Sequence, residues 1–600
     1  MLFPPNFPRS KVSKTETMTI RGFSGGLNRV EDDLHMEPKF LRLMNNFRRT
    51  ASAGAKLRYG QKWFADLKGT VNGIILDMIY FNNRIVAVTI NGEVASVNDS
   101  GVVTAIWNAG IAAALPGAPS GWSTGLTAVD FVPFKTELEI HNGIDKPLTV
   151  SPSFAVTYLQ DLATGSNVNV PIGKYGCSVS NYHVVAGIPS APTSIYVSAL
   201  GTAGVFPGDP PPNDSIAIDV GAYAPDGASD IFGIAGFRQK LLVFFRTQTL
   251  VIQLGVYNAT GVHTPQFPDA LPQFGLLGHR DVLLIENDLL FANFVGMASA
   301  KRNLFSGLID SAHLSDIIEP YIRGTIGSQD STTVRLKSFM VHDQLNHDAI
   351  MFLPDGQAFV YSANDKLRYS SWSTYSGVAW SSGCTSFLGR MFLSSGTRIY
   401  QSGNSSFANE AFSADKGSDH DFTWAPATLF GPGSLVLDGL TGIVYTCNLV
   451  HISGTLFATD RLNNPARWTV YGGLPISFSL ELPWLDGRDP NQVKMLRNAR
   501  IMSNGSAEFT LTVYVDNLYK DENGNVIYTP ALSMSFVGND ARGEGVDIGP
   551  YGGGRRANDP RLYGFPVKFK MVKFKIDGMS TRPLTLGGLS FLFSRGKYKR

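Results

Sequence analysis

The sequence contains few charged residues, few cysteines and no long apolar run. Charged side chains make up 17% of the 600 residues, against about 25% in typical soluble proteins. Part of the surface is therefore expected to be buried against other subunits or covered by uncharged polar residues. The net charge is +2 and the basic residues do not form blocks, which argues against strong capture of nucleic acid through its phosphates. No stretch approaches the roughly 18 apolar residues of a membrane-spanning helix.

The three cysteines, Cys177, Cys384 and Cys447, are far apart and have no CxxC spacing. This pattern supports neither a zinc site nor a disulfide framework, and it predicts buried free thiols. The first 14 residues carry three prolines but no apolar core, so we expect no signal peptide and a reducing, soluble compartment until assembly. No GxxxxGK[ST] phosphate loop occurs, and we expect no cofactor.

One pattern recurs between Val71 and Asn404: an apolar run, a tight turn, a second apolar run, and a third strand-like segment after a turn that often contains glycine. The turns of the first copy are Asn82-Asn83 and Asn91-Gly92. Such small hairpin units cannot bury both faces alone, so they must stack or close into a ring. Their spacing of about 50 residues predicts a β-propeller of six or seven blades. The seven copies span Met78–Val97, Ala128–Val150, Cys177–Ala199, Phe232–Leu254, Val282–Ala300, Phe339–Tyr361 and Phe387–Gln401.

The segments around this repeat suggest three parts in a mainly β chain. We predict an N-terminal arm and docking segment at 1–70, the propeller at 71–405, and a sandwich-like C-terminal β domain at 406–600. In the first part, Glu37-Pro38 precedes four apolar residues at helical spacing, which predicts a short helix. Those four residues are Phe40, Leu41, Met44 and Phe47.

Near the C-terminus, apolar residues alternate with lysines from Val567 to Ile576, and the alternation slips by one residue at Met571-Val572. The slip predicts a β-bulge that keeps four lysines on one face. These lysines either blunt an exposed edge strand, the favoured interpretation, or line a channel that carries DNA. They are Lys568, Lys570, Lys573 and Lys575.

The preceding stretch, 538–564, is rich in glycine and contains four arginines. We interpret it as a mobile tip or subunit-contact loop, with DNA contact through its arginines as the alternative. The four are Arg542, Arg555, Arg556 and Arg561.

Several short motifs stand in a fixed order before the first hairpin. They are Gly25-Gly26-Leu27-Asn28, Asn46-Phe47-Arg48, Gly54 and Leu57-Arg58-Tyr59-Gly60. Together they resemble the opening of the tail nozzle proteins of short-tailed bacteriophages, a family that includes tail tubular protein B of T7-like phages and the P22-like tail stabilisation protein. The sequence departs from that pattern by a longer gap at 50–56 and by Tyr59 where proline is common. Further similarity lies at 230–254 and 278–296.

The resemblance implies a non-enzymatic structural protein of the virion tail, assembled in the host cytoplasm. Such a protein would form a homohexameric tube below a tail adaptor protein, and the tube would retain and then eject double-stranded DNA without sequence-specific binding. Tail fibres are a further candidate partner. Arg48, Arg49 and Arg58 are candidates for docking to the adaptor, and the basic residues of the C-terminal part are candidates for DNA contact in the lumen or at the tip.

The alternative function is a glycan-binding or glycan-degrading propeller of a phage tail. Its candidate carboxylates are Asp32-Asp33 and Asp343 with Asp348, and the sequence around Asp421 partly matches a sialidase-type Asp-box. We interpret these as solvated turn carboxylates, and His342 and His347 as surface histidines rather than metal ligands. A WD-repeat scaffold is a third interpretation, but the recurring Gly-His and Trp-Asp signatures are absent.

Overall fold

The protein is described by a computed structural model. The described residues are 15–33, 35–50, 54–114, 121–159, 169–207, 214–224, 230–257, 263–285, 288–302, 309–362, 371–377, 379–403, 422–438, 444–470, 475–486, 492–505, 508–520, 526–537, 567–580 and 584–595. Their dominant secondary structure is the β-strand, as predicted.

Seven strands precede the first repeat. They are β1 (Thr15–Arg21), β2 (Gly26–Leu27), β3 (Phe40–Leu41), β4 (Leu43–Asn45), β5 (Phe47–Arg49), β6 (Ala55–Leu57) and β7 (Gln61–Asp66). The prediction of a helix after Glu37 is wrong, because the residues in question form β3, β4 and β5. Leu41, Met44 and Phe47 are all buried at three-residue intervals, since the chain breaks into very short strands around Arg42 and around Asn46, whose φ is 60°.

The repeats form a β-propeller, with seven antiparallel blades of four strands in the described residues; six blades are separate sheets, and β28–β31 are part of a nine-stranded sheet. Each of the seven predicted copies contributes one blade, and the predicted turn at Asn82-Asn83 is present with positive φ at both residues. Blade 1 contains β8 (Ile75–Phe81), β9 (Arg84–Thr89), β10 (Val94–Asn98) and β11 (Val103–Trp107), blade 2 contains β12 (Asp130–Phe134), β13 (Glu137–His141), β14 (Leu148–Val150) and β15 (Val156–Tyr158), and blade 3 contains β16 (Tyr175–Val179), β17 (Tyr182–Ala186), β18 (Ser194–Val197) and β19 (Ile216–Asp219). Blade 4 contains β20 (Gly233–Phe237), β21 (Lys240–Phe244), β22 (Gln248–Gln253) and β23 (Gln266–Pro272), and blade 5 contains β24 (Val282–Ile285), β25 (Asp288–Ala292), β26 (Met297–Arg302) and β27 (Ile309–His313). Blade 6 contains β28 (Phe339–Asp343), β29 (Asp348–Phe352), β30 (Ala358–Ser362) and β31 (Ser371–Tyr375), and blade 7 contains β32 (Ser382–Thr385), β33 (Met391–Ser395) and β34 (Arg398–Ser402) with β7.

The ring closes through β7. This N-terminal strand pairs with β34 as the outermost strand of blade 7, while the inner strands of blades 7 and 1 pack side by side. Residues 61–66 therefore belong to the propeller, although the sequence places them in the N-terminal segment. Closure by a strand from the other end of the repeat ties the two ends of the ring together without leaving an open edge.

A few short helices connect the strands. They are α1 (Ala109–Ala113), α2 (Glu319–Gly327), α3 (Ser331–Lys337) and α4 (Phe457–Asn463), with 3₁₀ turns at Gly221–Tyr223, Asp316–Ile318 and Pro465–Arg467. Asn108 caps α1 and Asp330 caps α3 by accepting a backbone N–H hydrogen bond. The helices α2 and α3 lie between blades 5 and 6.

The C-terminal part forms a β-sandwich, as predicted. Its strands are β41 (Ile476–Glu481), β42 (Lys494–Gly505), β43 (Glu508–Lys520), β44 (Val526–Val537), β45 (Val567–Phe569), β46 (Val572–Ser580) and β47 (Leu584–Arg595). One sheet has the order β45-β42-β47-β6-β5, with β1 also paired to β47, and the facing sheet contains β4-β41-β46-β43-β44. Buried apolar residues from both sheets form one core, so β1 and β4–β6 are part of the sandwich rather than a separate arm.

The chain crosses between these two sheets at Lys570-Met571. The predicted β-bulge is therefore wrong: β45 pairs in one sheet and β46 in the other. Phe569 and Val572 both stay in the core because the two sheets face each other. The lysines consequently do not share one face, since Lys568 is exposed on the first sheet and Lys573 and Lys575 lie on the second.

Residues 422–470 form a small module between the propeller and the sandwich. Its strands are β35 (Phe422–Thr423), β36 (Leu429–Phe430), β37 (Leu435–Leu437), β38 (Val444–Cys447), β39 (His451–Ile452) and β40 (Trp468–Val470), and it also contains α4. Its core is a cluster of aromatic side chains with Val436 and Cys447.

A polar node joins the propeller to the sandwich. The Asn46 side chain accepts hydrogen bonds from Arg58 Nε at 2.7 Å and from the Ser376 N–H at 2.9 Å, and donates to the Ser477 carbonyl at 2.6 Å. Arg58 also donates to the Ser376 carbonyl. Ser376 follows blade 6 and Ser477 lies in the sandwich, so these two side chains bridge both parts. Alongside, β4 pairs with β31 of blade 6, which makes one continuous nine-stranded sheet.

Gly26 of the first motif lies against the same blade. Its φ is 66°, and a Cβ atom there would lie 2.8 Å from the Trp372 carbonyl oxygen of β31. Glycine is therefore required at this position.

Removing the Arg58 guanidinium should destabilise this junction. Arg58→Ala leaves Asn46 Oδ1 and the Ser376 carbonyl without their charged donor, and we expect a loss of about 3 kcal/mol in the free energy of unfolding. Urea denaturation followed by tryptophan fluorescence measures the change. The exposed Arg21→Ala on β1 is the control, with an expected effect within about 0.5 kcal/mol. Equal effects of the two substitutions would contradict the assigned role.

Candidate functional site: propeller axis, buried polar groups and exposed apolar surface

The centre of the propeller is bridged by the chain itself. Arg280, just before blade 5, donates to the Leu76 carbonyl of blade 1 at 3.1 Å and to the Ser381 carbonyl beside blade 7 at 3.0 Å. It also donates to the Leu336 carbonyl before blade 6 and lies 3.3 Å from the Asp77 carboxylate. Blades 1 and 7 are not neighbours of blade 5, so one guanidinium reaches across the ring.

The residues on either side of Arg280 continue this bridge. His279 Nε2 lies 3.0 Å from the Val129 carbonyl, next to blade 2, and the buried Asp281 accepts a hydrogen bond from Ser338 Oγ. Burial raises the pKa of Asp281 to about 7 and lowers the pKa of His279 to about 3. The axis is thus filled by polar side chains at this level, of which Arg280 Nε and Asp281 Oδ1 are buried without a hydrogen-bond partner in the protein.

The axial bridge depends on the planar guanidinium. Lysine at position 280 keeps the charge but cannot donate to three carbonyls in divergent directions. We expect Arg280→Lys to lower the free energy of unfolding by about 2 kcal/mol. Chemical denaturation tests this, with Arg323→Lys on the exposed face of α2 as the control. Unchanged stability of Arg280→Lys would contradict the bridging role.

The three arginines predicted to dock an adaptor lie where the propeller joins the sandwich. Arg58 and Arg49 are buried, and the side chain of Arg48 is mostly buried with its Nη2 3.8 Å from Asp348. Arg58 is occupied by the contacts to Asn46 and Ser376. These guanidinium groups therefore do not form an exposed cationic surface on the described chain.

The predicted DNA-contact lysines are divided between two sheets, with Lys568 on β45 at the edge of one sheet and Lys573 and Lys575 together on β46 of the other. Lys573 Nζ is 2.7 Å from Glu481 and packs against Trp484, and Lys575 is 3.0 Å from Asp577. Their strand β46 lies between β41 and β43, so it is not an edge strand that needs protection. The four candidate arginines Arg542, Arg555, Arg556 and Arg561 lie outside the described residues.

The carboxylates considered for glycan cleavage do not face an open cleft. Asp343 and Asp348 are register partners in the β28–β29 hairpin. Asp348 is buried, contrary to the expectation of a solvated turn residue, and burial raises its pKa to about 6 although Arg48 opposes that shift. The adjoining cavity, lined by Arg48 and Asp343 among others, measures about 30 Å³, which holds only one or two water molecules. Asp421 lies outside the described residues.

A Cys–His–Asp arrangement in the small module was not anticipated from the sequence. Cys447 Sγ lies 3.7 Å from His451 Nδ1, and His451 Nε2 lies 3.2 Å from Asp460 Oδ2. However, the Leu449 carbonyl lies 3.1 Å from Sγ and 2.9 Å from Nδ1. The thiol donates its hydrogen bond to this carbonyl rather than to Nδ1, so the imidazole is not placed to take the thiol proton. Burial also raises the pKa of Cys447. The arrangement holds the module together and lacks an activated nucleophile.

The surface of this module is unusually apolar. Six large aliphatic side chains between residues 429 and 462 are more than half exposed: Leu429, Leu449, Val450, Ile452, Leu456 and Leu462. Leu429 and Ile452 are direct cross-strand partners. Exposed apolar residues that cluster in this way mark contact surfaces. The adjacent Leu449-Val450 and the aliphatic residues of α4 are visible in the sequence, but only the structure shows that the module core leaves them outside.

The interface between blades 2 and 3 contains buried ionisable groups that sequence reasoning also missed. His141 Nε2 and His183 Nε2 are 3.0 Å apart, and His183 Nδ1 lies 2.9 Å from the Ala203 carbonyl. Because the carbonyl only accepts, His183 is protonated on Nδ1, and its Nε2 accepts from His141 Nε2–H. Burial lowers the pKa of His183 to about 4 and that of His141 well below its usual value.

Glu139 lies on the same face of blade 2. It accepts a 2.6 Å hydrogen bond from Thr149 Oγ1, while its Oε1 has no protein partner. Burial raises its pKa to about 8, although the Thr149 hydrogen bond opposes the shift. The acid is therefore neutral at neutral pH.

The raised pKa of Glu139 makes stability depend on pH. The unfolded chain ionises this group near pH 4.5 and the folded protein near pH 8, so ionisation favours unfolding between these values. Relative to Glu139→Gln, which cannot ionise, the wild type should lose about 1.4 kcal/mol of stability per pH unit across this window. Urea denaturation from pH 5 to pH 8 measures the difference. The exposed Glu31→Gln is the control, and a pH-independent difference for Glu139→Gln would contradict burial of a neutral acid.

Within the described residues, no group of three or more His, Cys, Asp or Glu side chains is arranged to hold a metal ion. No helix in the same part of the chain is long and apolar enough to cross a membrane.

Comparison with solved structures returns propellers. The WD40 repeats of RRP9 are 10% identical, with a TM-score of 0.36 over 58% of this chain and 99% of that chain. U3-55K is 10% identical, with a TM-score of 0.35 over 56% and 97%. The WD40 β-propeller domain of Doa1 is 10% identical, with a TM-score of 0.32 over 57% and 96%. No protein-family model and no curated protein matches the chain. The similarity concerns the propeller fold and carries no argument about function.

Proposed function

We propose that this chain is a non-enzymatic structural subunit of a homo-oligomeric tube, as its resemblance to phage tail nozzle proteins implies. The observation that carries the proposal is the construction of the propeller itself. Its axis is bridged by Arg280, and blade 6 continues through β4 into the sandwich as one sheet. Such a subunit is suited to form the rigid wall of a tube rather than to enclose a substrate.

In this proposal the genome passes between subunits, because the ring of each propeller is occupied by its own side chains. Cyclic assembly then creates the lumen, and head-to-tail contacts between unlike surfaces close it. The low charge of the chain is compatible with passage of a polyanion, since each additional phosphate contact would retain DNA. An adaptor and tail fibres remain the partners that the resemblance implies, with the virion tail as the location.

The arrangement of carboxylates favours this proposal over a glycan-degrading enzyme. A glycosidase needs two carboxyl groups across a cleft that admits a sugar. Asp348 is instead buried beside Arg48, and the adjoining cavity is far too small for a sugar ring.

Electron microscopy of the purified full-length chain tests the proposal. We expect closed rings with six-fold symmetry, alone or after mixing with the adaptor protein. A chain that stays monomeric under both conditions, or that degrades host polysaccharide, would overturn it.

The exposed apolar module is the surface on which we expect subunits to meet. A charge at Ile452, in the centre of the exposed residues, would have to be desolvated on assembly. We expect Ile452→Lys to abolish most rings while the subunit stays folded. Ile144→Lys, at an exposed isoleucine of blade 2 outside the module, serves as the control and should leave ring formation unchanged. Size-exclusion chromatography with light scattering reports assembly, and circular dichroism reports folding.

A further inference from the structure

A cleft opens on the outer side of the interface between blades 2 and 3. Its volume is about 360 Å³, within the range of roughly 300–1,000 Å³ that small-ligand pockets occupy. The turn between β12 and β13 forms one wall and the 201–204 segment the other. Lys135 Nζ donates to the Gly201 carbonyl at 2.5 Å and so closes one end of the cleft.

The walls of this cleft are polar but nearly neutral. Among the described residues, the side chains that line it include one ammonium, one carboxylate and four threonine hydroxyl groups, so the charged groups balance. These residues are Lys135, Thr136, Glu137, Thr149, Thr157 and Thr202. A threonine hydroxyl both donates and accepts, which suits a ligand whose own groups do the same.

The base of the cleft is apolar. Phe134, Leu159 and Ala203 line it and belong to a buried hydrophobic cluster that packs the two blades together. Polar walls above an apolar base match a ligand that has hydroxyl groups at its rim and C–H groups on one face.

A row of side chains leads from the cleft into the interior. Thr157, Thr149 and Glu139 are register partners on three adjacent strands and therefore lie on the same face of blade 2. Thr149 donates to Glu139 Oε2, and Glu139 Oε1 is buried without a protein partner. A buried polar atom left unsatisfied beside a cleft indicates a position that solvent or a ligand completes.

We propose that this cleft binds one unit of a neutral, polyhydroxylated ligand, that is, a hexose ring of a glycan. The threonine hydroxyls and Glu137 contact the hydroxyl groups of the sugar, and the Phe134–Leu159 base contacts its C–H face. Among the described residues that line the cleft, Glu137 is the one carboxylate, so the proposal is for binding alone. The proposal is independent of ring assembly.

Binding is tested with methyl α-D-glucopyranoside, methyl α-D-galactopyranoside and methyl N-acetyl-β-D-glucosaminide on the full-length protein. We expect saturation-transfer NMR signals for at least one, with a Kd on the order of 1 mM, the affinity typical of a ligand with so few atoms. Absence of saturable binding for all three probes overturns the proposal.

Substitutions locate the site. Thr157→Val and Thr136→Val remove one hydroxyl each and should weaken binding at least about fivefold, with unchanged unfolding midpoints. Thr104→Val, at an exposed threonine of the outer strand of blade 1, is the matched control and should bind like the wild type. If all three variants bind equally well, the sugar is held elsewhere and the proposal is wrong.

Discussion

The hydrogen bonds between Asn46 and Arg58 are the constraint on which the two-part architecture depends. They draw together a turn after blade 6, the first strand of the C-terminal sandwich and the N-terminal segment that supplies strands to both. Buried and charged donors of this kind require all their partners in place at once. The N-terminal residues therefore connect the two parts. Strand β7 closes the propeller, and β4, β5 and β6 complete the sandwich.

Buried polar groups are concentrated in two places in the propeller. Most contacts between blades are apolar clusters, as between blades 3 and 4. The axis and the interface of blades 2 and 3 instead contain Arg280, Asp281, Glu139 and a histidine pair. Burial raises the pKa of both acids and lowers the pKa of both histidines, and the guanidinium is directed at backbone carbonyls, since unpaired charges there would be costly.

These features define which parts of the molecule remain available for contacts. The interior is filled, and the predicted docking arginines and two of the predicted DNA-contact lysines are engaged within the chain. The exposed aliphatic residues of the 422–470 module and the cleft between blades 2 and 3 remain. The first suits a subunit interface and the second a small neutral ligand, so assembly and ligand contact would use different surfaces of one rigid subunit.

Local pattern in the sequence was sufficient for the repeating unit. Alternation of apolar and polar residues with glycine or asparagine turns predicts antiparallel hairpins, because side chains alternate across a strand and tight turns need positive φ. The seven copies and the sandwich strand around Val572 were therefore recognisable, and so were the motifs at Asn46 and Arg58. Their partners were not, because Ser376 and Ser477 are more than 300 residues away and nothing local encodes that distance.

Tertiary structure alone decided the remaining features. The residues after Glu37 have helical spacing but form a series of two- and three-residue strands, because pairing with the sandwich outweighs local periodicity. The slip at Met571-Val572 proved to be a crossing between sheets, since either arrangement buries the same residues. The burial of Asp348 and Glu139, the reach of Arg280 across the axis and the exposure of Ile452 all depend on which strands become neighbours. The sequence by itself determined which face of each strand can be buried. The closed ring determined which residues pack against that face.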